Sequence, residues 1–237
     1  MTSKTSIHTI LNRMPLILAC MVLTLALLSW AGNVYNLGME NILCADGIRW
    51  AAANIVTNFT AAPLAEVILL MTGVSVIAES GILTSFSPLS SLKQKRALLL
   101  TLIMLAAFCL LILSLVTLPG AILLNSFGTL HNSPFTKSIP GLLLVVTLIA
   151  GNGYGYMSGR FTTMHDVILA HTKLINAASG YFLTMFMAAQ FIGCAEYTHV
   201  FSLFSDDEPT AINILSFALY YIILIPYIGV AYIKKTS

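Results

Sequence analysis

Residues 93–118 read KQKRALLLTLIMLAAFCLLILSLVTL, a basic cluster followed by an apolar run that contains no charge. A helix needs roughly 20 such residues to cross the ~30 Å of hydrocarbon in a bilayer. Lys93, Lys95 and Arg96 mark one end of the run, and basic residues flanking a span are retained on the cytoplasmic side. Working outward from this stretch, five more apolar segments recur, and the six spans lie near 15–35, 61–82, 96–118, 139–158, 176–197 and 211–233. The remaining basic residues sort with the same bias. Lys4 and Arg13 precede span one, Arg160 and Lys173 separate spans four and five, and Lys234 and Lys235 follow span six. Nine of the eleven Lys and Arg residues therefore fall on one side, leaving Arg49 and Lys137 for the other. Glu40, Asp46 and Asp206-Asp207-Glu208 also lie on that opposite side. An even span count and this bias place both termini in the cytoplasm.

Composition agrees with an all-α integral membrane protein. The chain is 58% hydrophobic and 8% charged, with a mean hydropathy of +0.90, against roughly 25% charged in soluble domains. So few polar side chains cannot clothe a globular surface, and the lipid bilayer must cover most of it. The net charge of +2 is spread over span ends rather than gathered in a patch, which argues against nucleic acid. Cys20, Cys109 and Cys194 lie in spans, so Cys44 has no external partner and no structural disulfide is expected. His8, His131, His165, His171 and His199 show no zinc-ligand spacing; no metal and no cofactor is expected. No His/Glu/Asp or Ser/Lys constellation converges in the spans, so the chain reads as a non-enzyme. Basic residues before the Leu16–Leu28 run resemble a signal peptide, but Trp30 before Ala31-Gly32 suits cleavage poorly, and the segment reads as a retained span.

Proline and glycine punctuate the spans. Pro15, Pro63 and Pro140 sit near the starts of spans one, two and four, and Pro119-Gly120 closes span three. Pro209 precedes span six, whereas Pro226 lies inside it and predicts a kink near Tyr221–Ile222. Residues 46–60 carry Ile48, Trp50, Ile55 and Phe59 at helical intervals with Arg49, Asn54 and Asn58 between them. That mixture is too polar to span and predicts one interfacial helix. Asn58-Phe59-Thr60 matches a glycosylation acceptor, a triplet short enough to arise by chance. In span four Gly151, Gly155 and Gly159 repeat every fourth residue, which allows a close helix–helix approach in the monomer or between copies. The alternative is a broken helix lining a cavity.

Few polar groups fall inside the spans, and each is costly there: a mid-bilayer carboxylate costs ~2.5–3.5 kcal/mol on insertion scales. The candidate substrate or ion residues are Glu66, one turn inside span two, Asn152 in span four, Gln190 deep in span five, and Glu196 near its outer end. Glu79 and Glu196 lie close enough to an interface to snorkel. Interhelical hydrogen bonding is the ordinary role of a buried amide such as Gln190.

Two blocks add a resemblance. Ile48-Arg49-Trp50 through Asn58-Phe59-Thr60, Pro63-Leu64, Gly73-Val74 and Ala78-Glu79-Ser80-Gly81 resembles the amino-terminal region of the p-aminobenzoyl-glutamate transporter (AbgT) family. Ser133-Pro134-Phe135 through Gly153-Tyr154-Gly155, Asp166-Val167, Ser179-Gly180-Tyr181 and Ala188-Ala189-Gln190-Phe191-Ile192 resembles its middle region. Together the blocks cover most of residues 15–200. The resemblance implies a multi-pass protein of the bacterial inner membrane that handles small organic anions such as p-aminobenzoyl-glutamate. It also implies pairing, with a second copy or a companion membrane subunit. The sequence departs from the pattern where the family has re-entrant hairpins. Thr84-Ser85-Phe86-Ser87-Pro88 joins flanks that in the family are separated by the first hairpin, and Ala195-Glu196-Tyr197-Thr198-His199-Val200 replaces the stretch after the Gln190 core. None of the family's hairpin residues carries over. The chain by itself is therefore expected to move little substrate, and a non-transporting structural or regulatory subunit stands as the alternative reading.

Overall fold

The computed structural model describes residues 2–86, 91–117, 123–124, 128–131, 133–204 and 207–233. Ser87, Pro88, Leu118, Pro119-Gly120, Asp206, Lys234 and Lys235 lie outside the described residues. Among the described residues every regular element is helical. Ile10–Val34, Ala45–Ser80, Leu92–Thr117, Pro134–Ser158 and Glu208–Tyr232 are each long and apolar enough to cross a bilayer. Met164–Ala177 with Ser179–Thr198 supplies a sixth crossing if the broken pair counts as one span. The protein is a polytopic helical membrane protein. Its chain divides into two compact units, Met1–Leu64 with Ala177–Ser237, and Ala65–Asn176.

The first unit contains α1 (Thr2–Val34), α2 (Ala45–Ala61), α7 (Ser179–Thr198), α8 (Glu208–Phe217) and α9 (Leu224–Ile233). Its core joins Leu25 of α1 and Ile42 to Phe191, Cys194 and Ala195 of α7. Trp50 of α2 stacks on Tyr197 at 4.4 Å between ring centroids. A tight turn follows α1, with Asn36 at φ 54° and Gly38 at φ 76°, conformations that Asn and Gly adopt at least cost. Pro63 biases the residue before it toward extended backbone; Ala62 obeys at φ −68°, ψ 148°, and α2 stops there.

The helix α1 starts well before the apolar core of span one, so Pro15 lies within it. Proline has no N–H, which orphans the carbonyl four residues earlier. That carbonyl belongs to Leu11, and the Tyr227 hydroxyl donates to it at 2.8 Å. Tyr227 is itself held by Thr184 at 2.7 Å. Inside hydrocarbon an unsatisfied backbone group costs several kcal/mol, so this phenol secures α1 to α9. Span six shows the second proline effect. A π-turn over Ala218–Ile222 separates α8 from α9, and Ile223 N–H reaches back five residues to Ala218 O at 3.3 Å. The distortion falls where Pro226 predicts it, and the Tyr220 carbonyl within it accepts a hydrogen bond from Tyr181 Oη.

The second unit contains α3 (Leu64–Ser80), a 3₁₀ turn at Ile82–Phe86, α4 (Leu92–Thr117), α5 (Pro134–Ser158) and α6 (Met164–Ala177). α4 and α5 pack through Ala97, Ala150 and Tyr154. Along α4, Leu99, Leu102, Ile103, Leu110 and Leu113 are all exposed, the pattern expected where lipid replaces a protein core. Gly151 and Gly155 of α5 meet neighbours within this unit. A Cβ on Gly151 would come 3.0 Å from the Val76 backbone, and one on Gly155 would come 2.3 Å from the Phe161 ring. Gly159 has a different role: it ends α5 in a left-handed conformation, φ 78°, which a C-terminal glycine adopts without strain. Ser75 of α3 is buried; it donates to Ala170 O at 2.6 Å and accepts from Leu174 N–H at 3.2 Å, tying α3 to α6.

Candidate functional site

Two polar clusters interrupt this apolar protein, one in each unit. The larger surrounds a cavity of about 380 Å³ in the first unit, lined by side chains of α2, α7, α8 and the π-turn. Asn58, Glu196, Asn213, Ser216, Tyr220 and Tyr221 supply its polar wall, and Gly193 and Phe217 are among its apolar neighbours. Glu196 is exposed and lies within electrostatic reach of Glu208 and Tyr220. Glu208 is held by His199, Nδ1 to Oε2 at 3.1 Å. His199 ends α7 at φ 52°.

A relay of amides orients one wall. Gln190 Nε2 donates to Ile55 O at 2.9 Å, so its Oε1 faces the other way and accepts from Asn58 Nδ2 at 3.3 Å. The carbonyl of Ile55 has no proton to give, which settles which end of each amide faces which neighbour. Asn58 lies so close to α7 that a Cβ at Gly193 would sit 2.5 Å from Asn58 Nδ2. Glycine is therefore what lets α2 and α7 bring these amides together. The backbone of α8 orders Ser216, whose hydroxyl donates to Ile212 O at 2.8 Å.

In the second unit Asn152 meets His171. His171 Nδ1 lies 2.7 Å from Val167 O, and a carbonyl only accepts, so Nδ1 carries the proton. Nε2 then accepts from Asn152 Nδ2 at 3.4 Å. Asn152 Oδ1 is buried and without a partner among the described residues. Nearby on the same helix Lys173 pairs with Glu79 at 3.0 Å. Glu66 is exposed in the first turn of α3. A separate cavity of about 330 Å³ between α4 and α5 is lined, among the described residues, by Phe108, Ile112, Phe135, Val146 and similar side chains, with the Cys109 thiol as its one weakly polar side chain.

Of the four residues singled out from sequence, Glu196 lines the first cavity, and Gln190 backs it through Asn58. Asn152 and Glu66 belong to the second unit. Sequence reasoning did not single out Asn213, Ser216, Tyr220 and His171 as site residues, and it treated Asn58 only as part of an interfacial face and a chance triplet. The available signal was the polar interruption of span six by Asn213 and Ser216 ahead of Pro226. Among the described residues no group of three or more His, Cys, Asp or Glu side chains converges as for a metal.

A model of the AbgT putative transporter family matches residues 87–224, more than half of the 237-residue chain. No curated protein and no solved structure matches it. The match contains the second block of resemblance and every cavity residue from α7 onward, while the first block lies outside it.

Proposed function

The chain belongs to the AbgT putative transporter family, and from that premise we propose that it is a transport protein for small organic anions such as p-aminobenzoyl-glutamate. The observation that carries this is the polar cavity of the first unit, because intramembrane polar groups are costly and are kept where they serve a substrate or ion path. Glu196, with Gln190 acting through Asn58, forms the substrate-facing group; Asn152 and Glu66 are the candidates for ion handling in the second unit. The protein resides in the bacterial inner membrane with both termini cytoplasmic, alters no covalent bond of its cargo, and works with a second copy or a companion subunit.

Uptake and efflux of labelled p-aminobenzoyl-glutamate by cells with and without the chain test this reading. A difference that Glu196→Gln abolishes supports it. Purified protein in liposomes, under an imposed proton or sodium gradient, then separates its two forms. Saturable flux assigns transport to this chain alone. A cellular effect without liposome flux assigns it as a subunit, and no difference in either assay overturns the proposal.

A further inference from the structure

The cavity of the first unit has a chemical bias that an anionic cargo has to respect. Among the described residues that line it there is no Lys, Arg or His, and Glu196 supplies the one carboxyl side chain. Two of its polar neighbours present acceptors, while the Asn213 amide and the Tyr220 hydroxyl can also donate. Asn58 directs its NH2 end to Gln190, which leaves Oδ1 as the end available to a ligand. Ser216 commits its proton to Ile212 O, so its oxygen remains as an acceptor. Phe217 and Tyr221 add an aromatic wall, their ring centroids 5.2 Å apart. A carboxylate entering this cavity would meet Glu196 with no counter-charge among the described lining residues. The N–H groups of a neutral aryl amine would meet a carboxylate and two further acceptors, and a protonated alkylamine would in addition meet ring faces that attract cations.

We propose that this cavity recognises the primary amine of an aromatic amine and excludes carboxylates. The inference rests on reading the cavity as the substrate site, and it assigns an orientation to an amphoteric cargo. The aryl-amine end of p-aminobenzoyl-glutamate enters between Glu196 and the Phe217–Tyr221 wall, and its two carboxylates stay outside. The aryl amine donates one N–H to Glu196 and the other to Ser216 Oγ, and no covalent step is involved. Asn58 Oδ1 is the acceptor left for the third N–H of a protonated amine. The volume of about 380 Å³ lies within the roughly 300–1,000 Å³ of small-molecule sites.

The test is equilibrium binding to the purified full-length chain in detergent, with four probes: 4-aminobenzamide, benzylamine, benzamide and benzoate. Both amines are expected to bind saturably, and benzamide and benzoate at least about tenfold more weakly, because a hydrogen bond to a charged group is worth about one such factor or more. Glu196→Gln should weaken benzylamine by about tenfold on the same grounds. Ser216→Ala, on a different helix, should weaken both amines while leaving circular dichroism and elution volume unchanged, which keeps the test valid if the Glu196 variant misfolds. Benzoate binding as tightly as the amines overturns the inference. So does amine binding that neither variant alters, or folded protein that binds neither amine. Amine binding without p-aminobenzoyl-glutamate movement in cells or liposomes would remove the transport reading and leave this one; movement without amine binding would do the reverse.

Discussion

At the scale of single residues, two positions carry more than their type suggests. Gly193 is the space in which Asn58 rests, and an added methyl would stand 2.5 Å from that amide nitrogen. Gly193→Ala must displace Asn58 and break its bond to Gln190. The expected cost is about 1–3 kcal/mol, the usual range for overpacking, read as a lower unfolding midpoint in detergent. Gly180→Ala is the control, since a Cβ there meets only a ring carbon of Tyr227 at an ordinary 3.8 Å. Asp166 is the second position. Its carboxylate accepts from the backbone N–H groups of Thr163 and Thr162 and from the Thr162 hydroxyl, capping the start of α6. These bonds lower its pKa from 3.8 to about 2. A depressed carboxylate stabilises the fold fully above its unfolded value and loses that effect as pH falls through the folded one. The stability gap between the protein and Asp166→Ala should therefore be constant above pH 3.8 and close as pH drops toward 2. A gap that stays constant down to pH 2 would show that the cap acts through something other than its charge.

At the scale of elements, one proline explains where a tyrosine is spent, and a second lies beside a π-turn that another tyrosine bonds. Pro15 leaves Leu11 O without its helical donor, and Tyr227 supplies one; Pro226 accompanies a π-turn whose Tyr220 carbonyl takes the Tyr181 hydroxyl. Tyr227→Phe keeps the ring and removes the donor, so α1 and α9 should separate more easily. The expected loss is about 1–2 kcal/mol, since membrane hydrogen bonds average ~0.6 with a maximum near 1.7 and an orphaned acceptor adds to that. Unfolding in mixed micelles measures it, and an unchanged midpoint would mean that Leu11 O finds another donor. A break in the regular hydrogen bonding of span six was legible from Pro226, because the missing N–H is a property of the residue, and a π-turn lies there. The tyrosine that answers Pro15 was not legible, because Leu11 and Tyr227 are 216 positions apart. The glycine spacing in span four was also visible in sequence. Only the structure separates Gly151 and Gly155, which meet Val76 and Phe161, from Gly159, which turns the chain out of the helix.

At the scale of the whole molecule, orientation follows from charge. A reporter fused after Glu208 should be external and one fused after Ser237 cytoplasmic, as the basic bias requires. A Ser237 fusion found outside would break the even-span count. Helical class and the approximate number of spans were contained in the linear chain, because membrane insertion responds to runs of about 20 residues and to charges beside them. The candidate site was contained there only as isolated polar residues. Glu196 and Gln190 stood out because polar groups are rare in apolar spans, yet nothing in their neighbourhood along the chain names Asn58, which Gln190 meets across 132 positions. Which polar groups share a cavity depends on helix rotation and on close approaches such as that at Gly193. Both are settled by packing between distant segments, and only the tertiary structure decides them.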